Sequence, residues 1–134
     1  VELCARQFIV DRLFIGTDGF TPSLGFTARD YMRATAVRAL ASRAERVVVL
    51  TESEKLGGHG PVPLLGADDV AALWTDSAAP DAQVDALTGA GVEVVTVAAD
   101  GTAAVHPAQA RPEPDRVVGR DSGPTALTTR EEPS

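Results

Sequence analysis

Two apolar segments in the first half of the chain each run into polar residues that could bind a ligand. The first segment ends at Ile15 and is followed by Asp18 and Gly19, and the second, residues 47–50, is followed by Lys55. If both segments are parallel strands of one sheet, these polar residues lie along its carboxyl edge, where open α/β sheets bind ligands. The sequence therefore predicts a small-molecule site at that edge.

Each candidate at this edge has a structural explanation as well as a functional one. Asp18 can accept hydrogen bonds from sugar hydroxyls and Gly19 permits close approach of the backbone, but Asp-Gly is also a common turn. Thr27 is expected to begin a helix, where it either caps the helix or helps to hold a phosphate at its free N–H groups. Lys55 can pair with an anionic ligand or with a neighbouring glutamate at the surface. The residues alone leave both explanations open.

The elements that carry these residues alternate between strands and helices. The apolar patterns predict strands over 10–16, 46–50, 70–75 and 92–97, and helices over 27–45 and 81–88. A further helix is expected to end near residue 8, residues 16–25 to form a long polar turn, and residues 57–61 to form a flexible loop. Such alternation is typical of right-handed crossovers and a parallel sheet in the α/β class.

The length and composition of the chain fit one domain with a hydrophobic core. The chain has 134 residues and is 44% hydrophobic but only 4% aromatic, so Val, Ala and Leu must fill that core. We assign the domain to residues 1–107. The proline-containing residues 108–134 show little periodicity and are predicted to be a disordered tail.

Charge and cysteine content argue against several classes of function. The net charge is −7 and residues 56–110 contain no Lys or Arg, so the clustered basic face that DNA binding requires is missing. A single cysteine, Cys4, excludes an intrachain disulfide, and we find neither a signal peptide nor an apolar run of about 18 residues, which indicates a cytoplasmic protein. The spacing of the His and Asp residues predicts no metal site, and no cofactor is expected.

Several stretches of sequence, taken in order and spacing, resemble a known family. They are VDRLFIGTDGF at 10–20, GFTARD at 25–30, RVVVLTESEK at 46–55, LWTD at 73–76 and GVEV at 91–94. Over residues 5–97 the chain resembles the sensor domain of the DeoR family of bacterial transcription regulators. The resemblance implies a three-layer α/β fold, with a parallel sheet and flanking helices, similar to ribose-5-phosphate isomerase and the CoA transferases.

The same resemblance implies a site and a function. Asp18, Gly19, Gly25, Thr27 and Lys55 would line an effector pocket for a phosphorylated sugar or related metabolite. The protein would be a homo-oligomeric regulator rather than an enzyme. It would act as a repressor of a sugar or carbohydrate catabolic operon. DNA would be bound only through a helix-turn-helix. Since that motif and the family's phosphate loop have no counterpart here, the chain is expected to correspond to about the C-terminal half of a sensor domain.

Two alternatives stay open at this point. The first is a sugar-phosphate isomerase of the related fold with a carboxylate as general base. In such isomerases further acidic residues follow the Asp-Gly pair, whereas Phe20 and uncharged residues follow it here. The second is an inactive fragment whose incomplete sheet exposes an apolar edge and self-associates. Within the family resemblance, Arg33 stands where many members have an acidic residue, which points to a different effector.

Overall fold

The computed structural model describes residues 10–110, which form two β-sheets and two α-helices. In chain order the elements are β1 (Val10–Ile15), β2 (Gly19–Thr21), β3 (Gly25–Ala28), α1 (Tyr31–Ala41), β4 (Ala44–Leu50), β5 (Val62–Leu65), β6 (Ala72–Asp76), α2 (Asp81–Gly89), β7 (Glu93–Val97) and β8 (Ala103–His106). The α/β class is confirmed. The helix expected near residue 8 and most of the expected tail, residues 111–134, lie outside the described residues.

The larger sheet has the strand order β1-β4-β6-β7-β8. Its first four strands run parallel, but β8 pairs antiparallel with β7. The four predicted strands are therefore parallel as expected, and the sheet is mixed because of β8, a strand that was not predicted. The chain reverses in a tight turn, in which the Ala98 N–H donates to the Thr102 carbonyl at 2.8 Å and Gly101 adopts a φ of 90°. A turn this short can join only antiparallel strands.

The smaller sheet has the order β2-β3-β5 and is antiparallel throughout. It replaces the long polar turn that was expected over residues 16–25. Gly19 pairs with Thr27 and Phe20 with Phe26, so residues that looked like a loop form a hairpin. β5 (Val62–Leu65), which follows the loop at 57–61, was not predicted either.

The first helix begins later and ends earlier than the sequence pattern suggested. Thr27 lies inside β3, so its predicted capping role is wrong. α1 is instead capped by Asp30, whose carboxylate accepts the Met32 N–H at 3.0 Å. The helix ends at Ala41 rather than near residue 45, because Ala44 already belongs to β4.

One face of the larger sheet carries the hydrophobic core. The strand residues of this core are Ile15, Val47, Val49, Leu73 and Val94, and they pack in one cluster with Ala34 of α1 and with Val84 and Leu87 of α2. The smaller sheet joins the same cluster through Phe20 and Phe26, whose ring centroids are 4.8 Å apart. The two sheets therefore share one core.

The opposite face of the larger sheet remains partly exposed among the described residues. Phe14, Leu50 and Trp74 are 58%, 47% and 45% exposed. Their register places them on one face. Leu50 pairs with Trp74, and Phe14 pairs with Val48, which precedes Leu50 by two residues in β4 and so lies on the same face. Separately, neither helix within residues 10–110 has the length and apolar character needed to cross a bilayer.

Replacing Phe26 tests whether the two sheets depend on a shared core. Phe26 is fully buried, so Phe26→Ala is expected to lower the free energy of unfolding by about 3–5 kcal/mol. The exposed Phe14 gives a matched control, and Phe14→Ala is expected to cost about 1 kcal/mol or less. Urea denaturation followed by circular dichroism measures both values. Equal losses in the two variants would contradict the assignment of Phe26 to the core.

Candidate functional site

Three charged side chains meet at the carboxyl edge of the larger sheet. Asp18 follows β1, Lys55 ends the short 3-10 turn (Ser53–Lys55) after β4, and Arg33 lies in the first turn of α1. The Asp18 Oδ2 is 3.2 Å from the Arg33 Nη1, and the Asp18 Oδ1 is 3.8 Å from the Lys55 Nζ. We name Asp18, Arg33 and Lys55 the edge cluster. The sequence-based expectation that Asp18 and Lys55 share one edge is confirmed.

The Asp18 carboxylate is held by the backbone as well as by the two cations. The Arg29 N–H donates to the Asp18 Oδ2 at 2.9 Å, and the Asp18 N–H donates to the Thr27 carbonyl at 3.0 Å. The Arg29 N–H, followed by the charges of Arg33 and Lys55, holds the pKa of Asp18 below its usual 3.8. Near neutral pH, Asp18 is therefore a fixed negative charge and a hydrogen-bond acceptor.

The other predicted site residues form the frame around this cluster. Thr27 is buried, and its hydroxyl accepts the Gly60 N–H at 2.8 Å. A Cβ on Gly19 would lie 2.5 Å from the Gly58 carbonyl oxygen, so the loop at residues 57–61 packs directly on the Gly19 backbone. Gly25 has a φ of 76°, which favours glycine at the hairpin turn. These three residues hold the hairpin and the loop together.

Besides Arg33, two polar side chains at this edge were not among the predicted site residues. The buried Thr17 hydroxyl lies 2.8 Å from the Gly19 carbonyl and 2.9 Å from the Thr27 carbonyl, and it ties the segment after β1 to β3. Asp76, at the end of β6, accepts the Ser53 N–H at 2.9 Å. Hydrogen bonds from Ser53 hold the pKa of Asp76 below its usual 3.8. Asp76 thus positions the turn that carries Lys55.

Asp76 could have been found by the argument that found Lys55. Lys55 lies just after β4 and Asp76 is the last residue of β6, and since these two strands are parallel neighbours, both residues reach the same edge. Thr17 carries no such signal, because nothing in the sequence indicates that its hydroxyl is buried. From the sequence, Arg33 could not be distinguished from Arg38, the other arginine of α1, because either could reach the cleft or lie on a solvated helix face.

A cavity of about 520 Å³ lies at the opposite, amino end of β4. Its lining includes Arg38, Glu45, Arg46, Asp68 and Asp69 but no member of the edge cluster. Arg38 donates to the Pro63 carbonyl, a contact that packs α1 against β5. The cavity lining carries two positive and three negative charges, whereas the edge cluster carries two positive charges and one negative charge and so suits an anionic ligand better. The edge cluster is therefore the stronger candidate.

Within residues 10–110, no group of three or more His, Cys, Asp or Glu side chains is gathered as metal binding requires. The chemistry available at the edge cluster is charge pairing and hydrogen bonding. Lys and Arg donate to anionic groups, and the carboxylate accepts from hydroxyls. This combination suits a polar ligand that carries both kinds of group.

Comparison with known proteins gives one family and one curated relative. A family model described as the DeoR C terminal sensor domain matches residues 1–77, which include the whole edge cluster and end directly after β6. The putative aga operon transcriptional repressor of Escherichia coli O157:H7 is 26% identical over 96 residues. That alignment covers 72% of this chain and 36% of the repressor, so the chain spans about a third of this relative. No solved structure matches the chain.

Two glycines in contact test how the loop packs on the edge. Gly19→Ala is expected to lower the free energy of unfolding by about 1–3 kcal/mol, since its Cβ would meet the backbone of Gly58 and His59 within 3 Å. Gly58 is the matched control. A Cβ there meets nothing within 4 Å, so Gly58→Ala is expected to change stability by about 1 kcal/mol or less. Chemical denaturation of both variants distinguishes them, and an unaffected Gly19→Ala would contradict the packing.

The hydrogen bonds of Asp18 predict how stability depends on this residue and on pH. Asp18→Ala loses a charged acceptor of the Arg29 N–H and is expected to cost about 1–3 kcal/mol. Asp18→Asn keeps an amide oxygen for that N–H and loses only partly exposed ion pairs, so about 1 kcal/mol or less is expected.

A comparison of the wild type with Asp18→Asn tests the titration of Asp18. Because the pKa of Asp18 is lowered on folding from its usual 3.8, the stabilisation by the carboxylate is complete above that value and is lost as pH falls through the folded pKa. Denaturation is measured between about pH 6 and pH 2.5. The wild type should lose more stability over that range than Asp18→Asn. Parallel losses would show that Asp18 does not titrate as inferred.

Proposed function

This chain belongs to the DeoR C-terminal sensor domain family, and on that premise we propose that it binds a phosphorylated sugar or related metabolite at the edge cluster. The observation that carries the proposal is the convergence of Lys55 and Arg33 on Asp18. The cluster lies at the carboxyl edge of parallel strands, where ligands of α/β sheets bind. The Asp18, Lys55 and Arg33 side chains are 14%, 26% and 44% exposed, so a ligand can reach all three.

The predicted site residues take different roles in this proposal. Lys55 donates to an anionic group of the ligand, since an ammonium has three N–H donors and its contact with Asp18 is a loose ion pair at 3.8 Å. Asp18 accepts hydrogen bonds from ligand hydroxyls. Gly19, Gly25 and Thr27 act indirectly, because they shape the hairpin and loop around the cluster.

The proposed role of the whole protein is that of a regulator. The chain would be the effector-sensing part of a repressor of a sugar or carbohydrate catabolic operon, active in the cytoplasm as a homo-oligomer. Effector binding would release the repressor from DNA, which is contacted by a helix-turn-helix outside this chain. The relative described as an aga operon repressor supports this role, although the alignment covers 36% of that protein.

An isomerase-like activity is less well supported by the geometry. Proton transfer would need Asp18 as a general base, yet its pKa is lowered by the Arg29 N–H and by the nearby cations. A carboxylate stabilised in its charged form is a weak base. The arrangement therefore favours binding over catalysis. Turnover of ribose 5-phosphate by the purified chain would reverse this conclusion.

A thermal-shift screen of pentose and hexose phosphates tests the proposal. At least one compound is expected to raise the melting temperature, since a ligand that binds only the native state stabilises it. Lys55→Ala should weaken binding of that compound about 10- to 100-fold, the effect of losing a hydrogen bond from a charged group.

Glu54→Ala is the control for this experiment. Glu54 lies in the same turn and is exposed, and it is not a member of the edge cluster, so its removal should leave the affinity within about threefold. Binding that survives Lys55→Ala unchanged would remove the lysine from the site. A screen in which every sugar phosphate fails to bind would refute the proposed ligand class.

A further inference from the structure

The Arg33 guanidinium extends from the first turn of α1 across the carboxyl end of β1. Its Nη2 would lie 3.2 Å from a Cβ placed on Gly16, the residue that directly follows β1. Its Nη1 donates to the Asp18 Oδ2 at 3.2 Å. Because Gly16 has no side chain, the guanidinium can cross the end of the strand and reach the carboxylate. Its position therefore depends on the local backbone as well as on charge.

Asp18 uses only part of the donor capacity of the two cations. A guanidinium has five N–H donors and an ammonium has three. Within residues 10–110, Asp18 receives one side-chain hydrogen bond from Arg33 and forms one 3.8 Å ion pair with Lys55. The cluster also carries two positive charges and one negative charge. Its net charge of +1 can compensate one further negative charge, which is the charge of a carboxylate or of a singly ionised phosphate.

We propose that Arg33 selects an oxyanion of the ligand and that Asp18 occupies its place in the ligand-free protein. The inference rests on the proposed function for the location of the ligand. Arginine binds phosphate and carboxylate groups through two parallel N–H donors, whereas Asp18 engages Arg33 through one. An incoming oxyanion competes with Asp18 for the guanidinium, while the Arg29 N–H keeps the Asp18 carboxylate in position.

The competition predicts opposite effects for substitutions of the two partners. Arg33→Gln should weaken the binding of inorganic phosphate about 10- to 100-fold, because the charged N–H donors of the guanidinium are lost. Asp18→Asn should strengthen it about 3- to 10-fold, because the competing charge is lost and the amide oxygen still accepts the Arg29 N–H. Isothermal titration of the full chain with phosphate measures both. If Asp18→Asn weakens phosphate binding as Arg33→Gln does, the competition is refuted.

Arg38 supplies the matched control, because it is an arginine of the same helix outside the edge cluster. Arg38→Gln makes the same change in net charge but should leave phosphate affinity unchanged. An equal loss of affinity in Arg33→Gln and Arg38→Gln would show that phosphate responds to net charge alone, which would overturn the inference. Circular dichroism and melting curves establish that each variant is folded before it is titrated.

A second titration distinguishes the two kinds of oxyanion. Phosphate and gluconate are compared in the wild type and in Arg33→Gln, and the anion whose affinity falls more identifies the group that Arg33 binds. If neither affinity depends on Arg33, the inference is wrong.

The same variants separate this inference from the proposed function. If a sugar phosphate binds the wild type and Arg33→Gln equally, the inference fails and the proposed function stands. If no sugar phosphate binds but phosphate responds to Arg33 and Asp18 as described, the proposed function fails and the oxyanion site stands.

Discussion

The parallel pairing of β1 with β4 is the constraint on which the site depends. Ile15 pairs with Val49 at the ends of the two strands, so the segments that follow them emerge side by side. Asp18 lies in the segment that follows β1, and Lys55 lies in the segment that follows β4. β6 pairs with the far side of β4 and brings Asp76 to the same edge. A shift in this register would separate the two charges, because the segments between strand and charge are short.

The edge combines a buried frame with charges that stay accessible. Backbone-directed hydrogen bonds of Thr17 and Thr27 fix the hairpin and the loop, and neither side chain is accessible to a ligand. Asp18 connects the two parts, since it is bound to the Arg29 backbone and also to Arg33. A carboxylate tied to the backbone keeps its place when a cation moves away, and such preorganisation lowers the cost of ligand binding.

The parallel strands could be predicted from the sequence, whereas the hairpin and the start of the first helix could not. The alternation of strands and helices was enough to predict parallel strands, and the polar residues that follow β1 and β4 were enough to predict a shared edge. The hairpin was missed because β2 has only three residues and lies among Gly, Thr and Pro, which also make turns. The four residues from Thr27 to Asp30 resemble a capping box, yet pairing with β2 and β5 draws Thr27 into a strand and leaves the cap to Asp30.

The charge distribution restricts how an anionic ligand can be recognised. The chain has a net charge of −7, so at long range it repels an anion. Salt at physiological strength limits that repulsion to about 8 Å, and the attraction by Arg33 and Lys55 acts within the same short distance. Affinity must therefore come from direct contacts made after the ligand reaches the edge. Under this constraint a guanidinium is better suited than a second lysine, because its planar donors bind an oxyanion in a defined geometry.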